Sequence, residues 1–153
     1  MSRSELDGAR RDSHFAPSDY RILASVGSSR RGTDLKGLLV AAGARDHAAL
    51  ELDEINDGIS RLLANGYVVK KEFGRIAATG KARRYRMLMD PLGILEWHVV
   101  AGHFVRRKMK TGPAYESHYS EEVYQEALLK YRSRVDRIRA GKGRIQASTN
   151  RPR

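Results

Sequence analysis

The stretch from Leu50 to Thr79 constrains this chain more than any other, because within it a helical period gives way directly to a strand pattern. Leu52, Ile55, Ile59, Leu62 and Leu63 recur at steps of three and four, which lines them along one stripe of a 3.6-residue helix. Glu51, Asp53 and Glu54 crowd its start, where the helix dipole favours carboxylates. Asn65 and Gly66 close it, since glycine enters the left-handed region at no steric cost. Tyr67, Val68 and Val69 are aromatic and β-branched and suit a strand, Glu72 to Gly74 is a short turn, and Arg75 to Thr79 returns beside that strand.

Upstream, Ser18 or Asp19 can cap a first helix over Tyr20 to Val26, and Gly27 to Gly32 interrupts it as a loop. Thr33 then caps a second helix from Asp34 to Ala42, with Leu35, Leu38 and Leu39 on one face and Gly43 ending it. The connection from Gly43 to Leu50 is longer than the tight turn of a minimal helix-turn-helix. The block from Tyr20 to Gly80 resembles the bacterial winged helix-turn-helix domains, in which a third helix ending like RLLANGYV precedes a wing. Ala78-Thr79-Gly80-Lys81 is similar to the T-x-x-G that follows the wing in MarR-like and PadR-like regulators, with shorter spacing. The resemblance covers about two fifths of the chain. It implies a winged helix fold, double-stranded DNA as partner and a role as transcriptional regulator. The expected fold class is mainly α with a small β-hairpin. It comprises a flexible arm over 1–17, a winged helix domain over 18–80, a C-terminal helical region over 81–140 and a disordered basic tail over 141–153.

In the C-terminal region, Asp90 followed by Pro91 is a helix start signal. Leu92, Ile94, Leu95, Trp97, Val99, Val100 and Phe104 continue it to about Met109, and cations close it at Arg106, Arg107, Lys108 and Lys110. Ser120 caps a last helix from Glu121 to about Ala140, with Val123, Tyr124, Ala127, Leu128, Tyr131, Val135 and Ile138 along one stripe. Leu95, Trp97, Val100, Phe104, Tyr124, Leu128 and Tyr131 are candidates for a homodimer interface, which the resemblance implies. Packing within one chain satisfies the same pattern.

The net charge is +11, and its distribution is uneven. Residues 81–113 hold eight Lys and Arg against two Asp and Glu, whereas residues 18–80 hold nine against eight. Lys70, Lys71 and Arg75 flank the hairpin turn, and Lys81, Arg83, Arg84 and Arg86 follow; with Arg61 on the third helix they are the candidate nucleic-acid contacts. If the apolar stripe of the third helix faces the core, its other face offers Asp53, Glu54, Asn56, Asp57, Ser60 and Arg61. Three carboxylates against one guanidinium suit base edges poorly, so the expected mode is phosphate contact by the wing with weak sequence reading. Two other partners fit the pattern. One is a basic protein facing Asp53, Glu54 and Asp57, and the other is structured RNA or a ribonucleoprotein served by the arms at both termini.

Without cysteine there are no disulfides and no thiolate metal ligands. No run approaches the roughly 18 to 20 apolar residues that span a bilayer, and the N-terminus lacks the apolar core of a secretory signal. A cytoplasmic protein without a membrane partner is expected. Glu96, His98 and His103 do not match the spacing of H-E-x-x-H. The segment GSSRRG at residues 27–32 is neither a nucleophile elbow nor a P-loop. The sequence therefore predicts no catalytic residues, no metal and no cofactor.

Overall fold

The structure is a computed structural model that describes residues 14–27, 30–46, 48–89, 91–92 and 95–149. Its elements run α1 (Pro17–Val26), α2 (Leu35–Asp46), α3 (Leu52–Ala64), β1 (Val68–Lys70), a 3-10 turn (Glu72–Gly74), β2 (Ile76–Ala78), α4 (Gly80–Met89), α5 (Trp97–Val105) and α6 (Glu121–Thr149). The protein is mainly α with one antiparallel hairpin, in which Val68 faces Ala78, Val69 faces Ala77 and Lys70 faces Ile76. Thr33 bridges to Ile76 by two main-chain hydrogen bonds, of 2.8 and 3.0 Å. The loop before α2 is thereby tied to the hairpin.

The α3 stripe behaves as its period predicts, with Ile55, Ile59 and Leu62 fully buried among Ile22, Leu38, Leu39 and Leu50. At Gly58 the approach of α1 is so close that a Cβ would collide with Ile22 Cδ1 and Asp19 Oδ1. Asp19 is fully buried there. Its carboxylate accepts from Arg61 Nε at 2.8 Å, from an Arg61 terminal nitrogen at 2.9 Å and from the Ala16 amide at 2.7 Å. Burial pushes the Asp19 carboxyl above its ordinary value, and Arg61 and the Ala16 amide draw it only part of the way back.

Helix α1 therefore starts at Pro17 with Ala16 as N-cap, earlier than expected, and Asp19 serves from the third helical position in place of a capping Ser18 or Asp19. The fold reaches back to Phe15, which is buried against Phe104 and Tyr67 at ring-centroid distances of 4.5 and 5.6 Å. Residues 14–17 are thus part of the folded body, and the rest of the expected arm lies outside the described residues.

Other boundaries also differ from expectation. Helix α2 continues through Gly43 to Asp46, because Tyr131 of α6 lies where a Cβ of residue 43 would sit. Asp34, not Thr33, caps it, accepting from the Gly37 amide at 2.8 Å. Helix α4 occupies a stretch read only as basic flank; Thr79 starts it, and Lys, Ala, Arg, Met and Leu favour helix throughout. With α4 running to Met89, Pro91 and Leu92 fall in a turn, and α5 starts only at Trp97. Helix α6 does not stop near Ala140 but runs to Thr149, its last turns free of proline.

The residues proposed for a homodimer are largely used within the chain. Phe104 is fully buried among Phe15, Tyr20, Tyr67 and Tyr85. Val100, Tyr124 and Leu128 are buried, Trp97 and Tyr131 pack against the core, and only Leu95 is exposed. These side chains form the core because α5 and α6 fold back onto α1 and α2.

In urea denaturation, Asp19→Ala is expected to cost about 3–5 kcal/mol, since it strands a guanidinium in the core. The double variant Asp19→Ala/Arg61→Ala is expected to cost less than the two single changes added together.

Candidate nucleic-acid interface

Helix α3 meets its surroundings on both sides. Asn56 Nδ2 donates to the Tyr119 carbonyl at 3.1 Å, and its Oδ1 accepts from the amides of His118 and Tyr119, each at 3.0 Å. Ser60 Oγ accepts from the Glu116 amide at 3.3 Å and lies 3.2 Å from His118 Nε2. Asn65 repeats the pattern, donating to the Thr111 carbonyl at 3.0 Å and accepting from the Lys110 amide at 2.9 Å. Side-chain amides thus stand in for the partner strand of segment 110–119, which crosses α3 as a strap. The strap also reaches the hairpin, where the Tyr119 hydroxyl donates to the Gly74 carbonyl at 2.6 Å.

This corrects the expected solvent face of α3. Asn56 and Ser60 are buried, Asp57 lies close enough to raise the Asp19 carboxyl, and Arg61 is committed to Asp19. Within α3 only Asp53 is exposed. What remains toward solvent is Asp53 with half-buried Glu54 and Asp57, carboxylates that suit base edges poorly. The sequence did carry a signal, since Asn and Ser in mid-helix compete with its backbone unless they bond elsewhere.

The basic residues of the hairpin fall into two groups. At the turn, the Lys71 amide donates to the Arg75 carbonyl at 2.8 Å, which sets the two residues opposite each other just beyond the strand ends, and both line one surface. Like charges in that position repel, yet neither has a carboxylate partner among the described residues. Arg31, delivered by the Thr33 bridge, lines the same surface with Glu72 and Phe73. Phe73 at the apex is 93% exposed, and its φ of 58° places it in the left-handed region. Lys70, one residue back, pairs with Glu116 at 3.1 Å and holds that carboxyl below its ordinary value.

The second group lies at the opposite end of the hairpin. Lys81 Nζ donates to the Asn65 carbonyl at 2.6 Å and stands 4.4 Å over the Tyr67 ring. Arg107 sits 4.8 Å over Tyr85. Burial pulls the Lys81 ammonium below its ordinary value, and the charges of Lys110 and Arg107 add to the effect, so three cations converge here. Arg83 donates to the Ala78 carbonyl at 3.4 Å, while Arg84 and Arg86 are exposed on α4. In the sequence Arg107 and Lys110 read as the cations of a helix end and Arg31 as part of a loop; their part in these groups depends on contacts across the chain.

Three helices followed by a hairpin, with a bridge from the loop before α2, are compatible with a winged helix. No protein family, no curated protein and no solved structure matches the chain. Among the described residues, no helix is long and apolar enough to cross a membrane.

His118 gives the strap a pH dependence. Burial pushes its imidazole below the ordinary value, Lys70 adds to this, and Glu116 opposes it. Among the described residues its buried Nδ1 has no hydrogen-bond partner, so a second ring proton would go unsatisfied. A depressed folded value means that stabilisation is complete above the ordinary value of about 6.5 and is lost as pH falls through the folded value. Protection of the His118 and Tyr119 amides from hydrogen exchange is expected to fall on acidification below about pH 6.5, and His118→Gln is expected to abolish that dependence.

Proposed function

We propose that this chain is a winged helix protein that binds double-stranded DNA mainly through phosphates, with the hairpin as wing, and acts in transcription regulation without chemistry of its own. The observation that carries this reading is the pair Lys71 and Arg75, opposite each other at an exposed turn and sharing one surface with Arg31, three cations against the single carboxylate of Glu72, with no ion pair to either among the described residues. Repulsion of that kind is relieved when a polyanion lies across the turn. Arg31 adds a third cation at the same end, and Lys81, Arg107 and Lys110 form a second cluster at the other. The charge of +11 draws the whole molecule toward nucleic acid. With α3 covered by the strap, phosphate contact dominates and sequence selectivity is weak.

A second reading has its own observation. Glu51, Glu54 and Glu121 all raise the Tyr124 hydroxyl, though less than burial does, which gathers three carboxylates at the joint starts of α3 and α6. Such a surface suits a basic protein segment.

Binding to random-sequence duplex DNA across a salt series separates the two. The wild type is expected to show a steep decline with salt, and Lys71→Ala/Arg75→Ala to flatten the slope of log affinity against log salt by about two units, at roughly 0.9 per phosphate contact. Glu51→Gln/Glu54→Gln is expected to leave that slope unchanged. Absence of duplex binding even at low salt would transfer the assignment to the protein-interaction reading. Tighter binding to RNA of equal length and charge would transfer it to an RNA partner.

A further inference from the structure

We infer that Phe73 is a wedge that enters the minor groove of duplex DNA and inserts between neighbouring base pairs, a step that rests on the phosphate-binding reading of the wing. The turn from Glu72 to Arg75 is closed by the Arg75 amide donating to the Glu72 carbonyl at 3.3 Å. Both of its central residues are left-handed, Phe73 with φ of 58° and Gly74 with φ of 67°. Turns with two left-handed centres favour Asn-Gly, because a bulky side chain at the first position crowds its own backbone. This chain holds Phe there, and the ring gains no burial in return, being 93% exposed. A single exposed apolar residue is ordinary. One that is also held in a strained backbone conformation marks a position where the strain serves a contact made outside the chain.

The surroundings of the ring indicate what that contact is. Lys71, Arg75 and Arg31 line one surface with Phe73 at the apex, and Glu72 is the single carboxylate among them. A hydrophobic protein pocket would have to desolvate all three cations to receive the phenyl group, whereas a duplex offers phosphates to the cations and base faces to the ring. Phenylalanine cannot read base edges by hydrogen bonds, and apolar wedges of this type unstack a base step from the minor groove. The apex is also held firmly from behind. The Tyr119 hydroxyl grips the Gly74 carbonyl at 2.6 Å, and Thr33 grips Ile76 by two main-chain bonds, so the ring is presented with little left to order on binding.

The test uses the full chain and two labelled duplexes of one random sequence, one perfect and one with a single central T·T mismatch, whose base step opens more easily. The wild type is expected to bind the mismatched duplex about tenfold more tightly, because the free energy needed to unstack a base step is reduced at a mismatch. Phe73→Ala is expected to bind both duplexes alike while keeping the wild-type salt slope, since its cations remain. Phe73→Gly is expected to lose the preference in the same way with a melting temperature equal to or above that of the wild type, which separates lost contact from lost folding. In Trp97→Phe/Phe73→Trp the preference is expected to persist, with indole fluorescence quenched on binding. Equal binding of the two duplexes by the wild type, with a steep salt dependence, would overturn the wedge and leave the phosphate reading standing. No salt-dependent binding of either duplex would overturn both.

Discussion

The buried pair of Asp19 and Arg61 sets how α1 lies on α3, and much else follows from it. Two charges removed from water tolerate little displacement, so the carboxylate must stay within hydrogen-bond reach of both guanidinium nitrogens and of the Ala16 amide. Gly58 admits α1 at the separation this requires. Holding Ala16 also directs Phe15 into the aromatic cluster of Tyr20, Tyr67, Tyr85 and Phe104, where α5 and α4 join the three-helix body. The pair costs desolvation energy, and what it contributes in exchange is a single geometry between the helices.

A second consequence concerns α3 itself. Its polar residues are drawn inward on both flanks, Arg61 toward α1 and Asn56, Ser60 and Asn65 toward the strap. Asn56 satisfies the buried main-chain donor and acceptor of Tyr119, and Asn65 holds the main chain of Lys110 and Thr111 in the same way. The same hydrogen-bonding capacity cannot also read bases. The cations of the hairpin turn, Lys71 and Arg75, are by contrast exposed and have no ion-pair partner among the described residues.

The helix α3 and the hairpin after it were legible because their signals are local: apolar period, acidic start, Asn-Gly stop and β-branched run all lie within thirty residues. Helix α4 was hidden behind its charge, since a run of arginines reads as a basic flank although arginine is also a good helix former. The Asp90-Pro91 start signal was overridden, because α4 uses the chain up to Met89 and a turn must follow. Gly43 failed as a stop for a different reason: there the missing side chain makes room for Tyr131, and no local pattern reports that.

Composition and period determined that this chain is mainly helical with one hairpin, that it is strongly basic, and that its cations cluster around and after the turn. Only the tertiary structure decided which of those cations are available. Arg61 met Asp19 from forty-two positions away, and Lys70 met Glu116 from forty-six. Lys81 was drawn onto Asn65 and Tyr67, while Lys71, Arg75 and Arg31 were left facing water. A charge is free or committed according to what lies within a few ångströms of it, and for these residues that neighbour comes from another element of the chain.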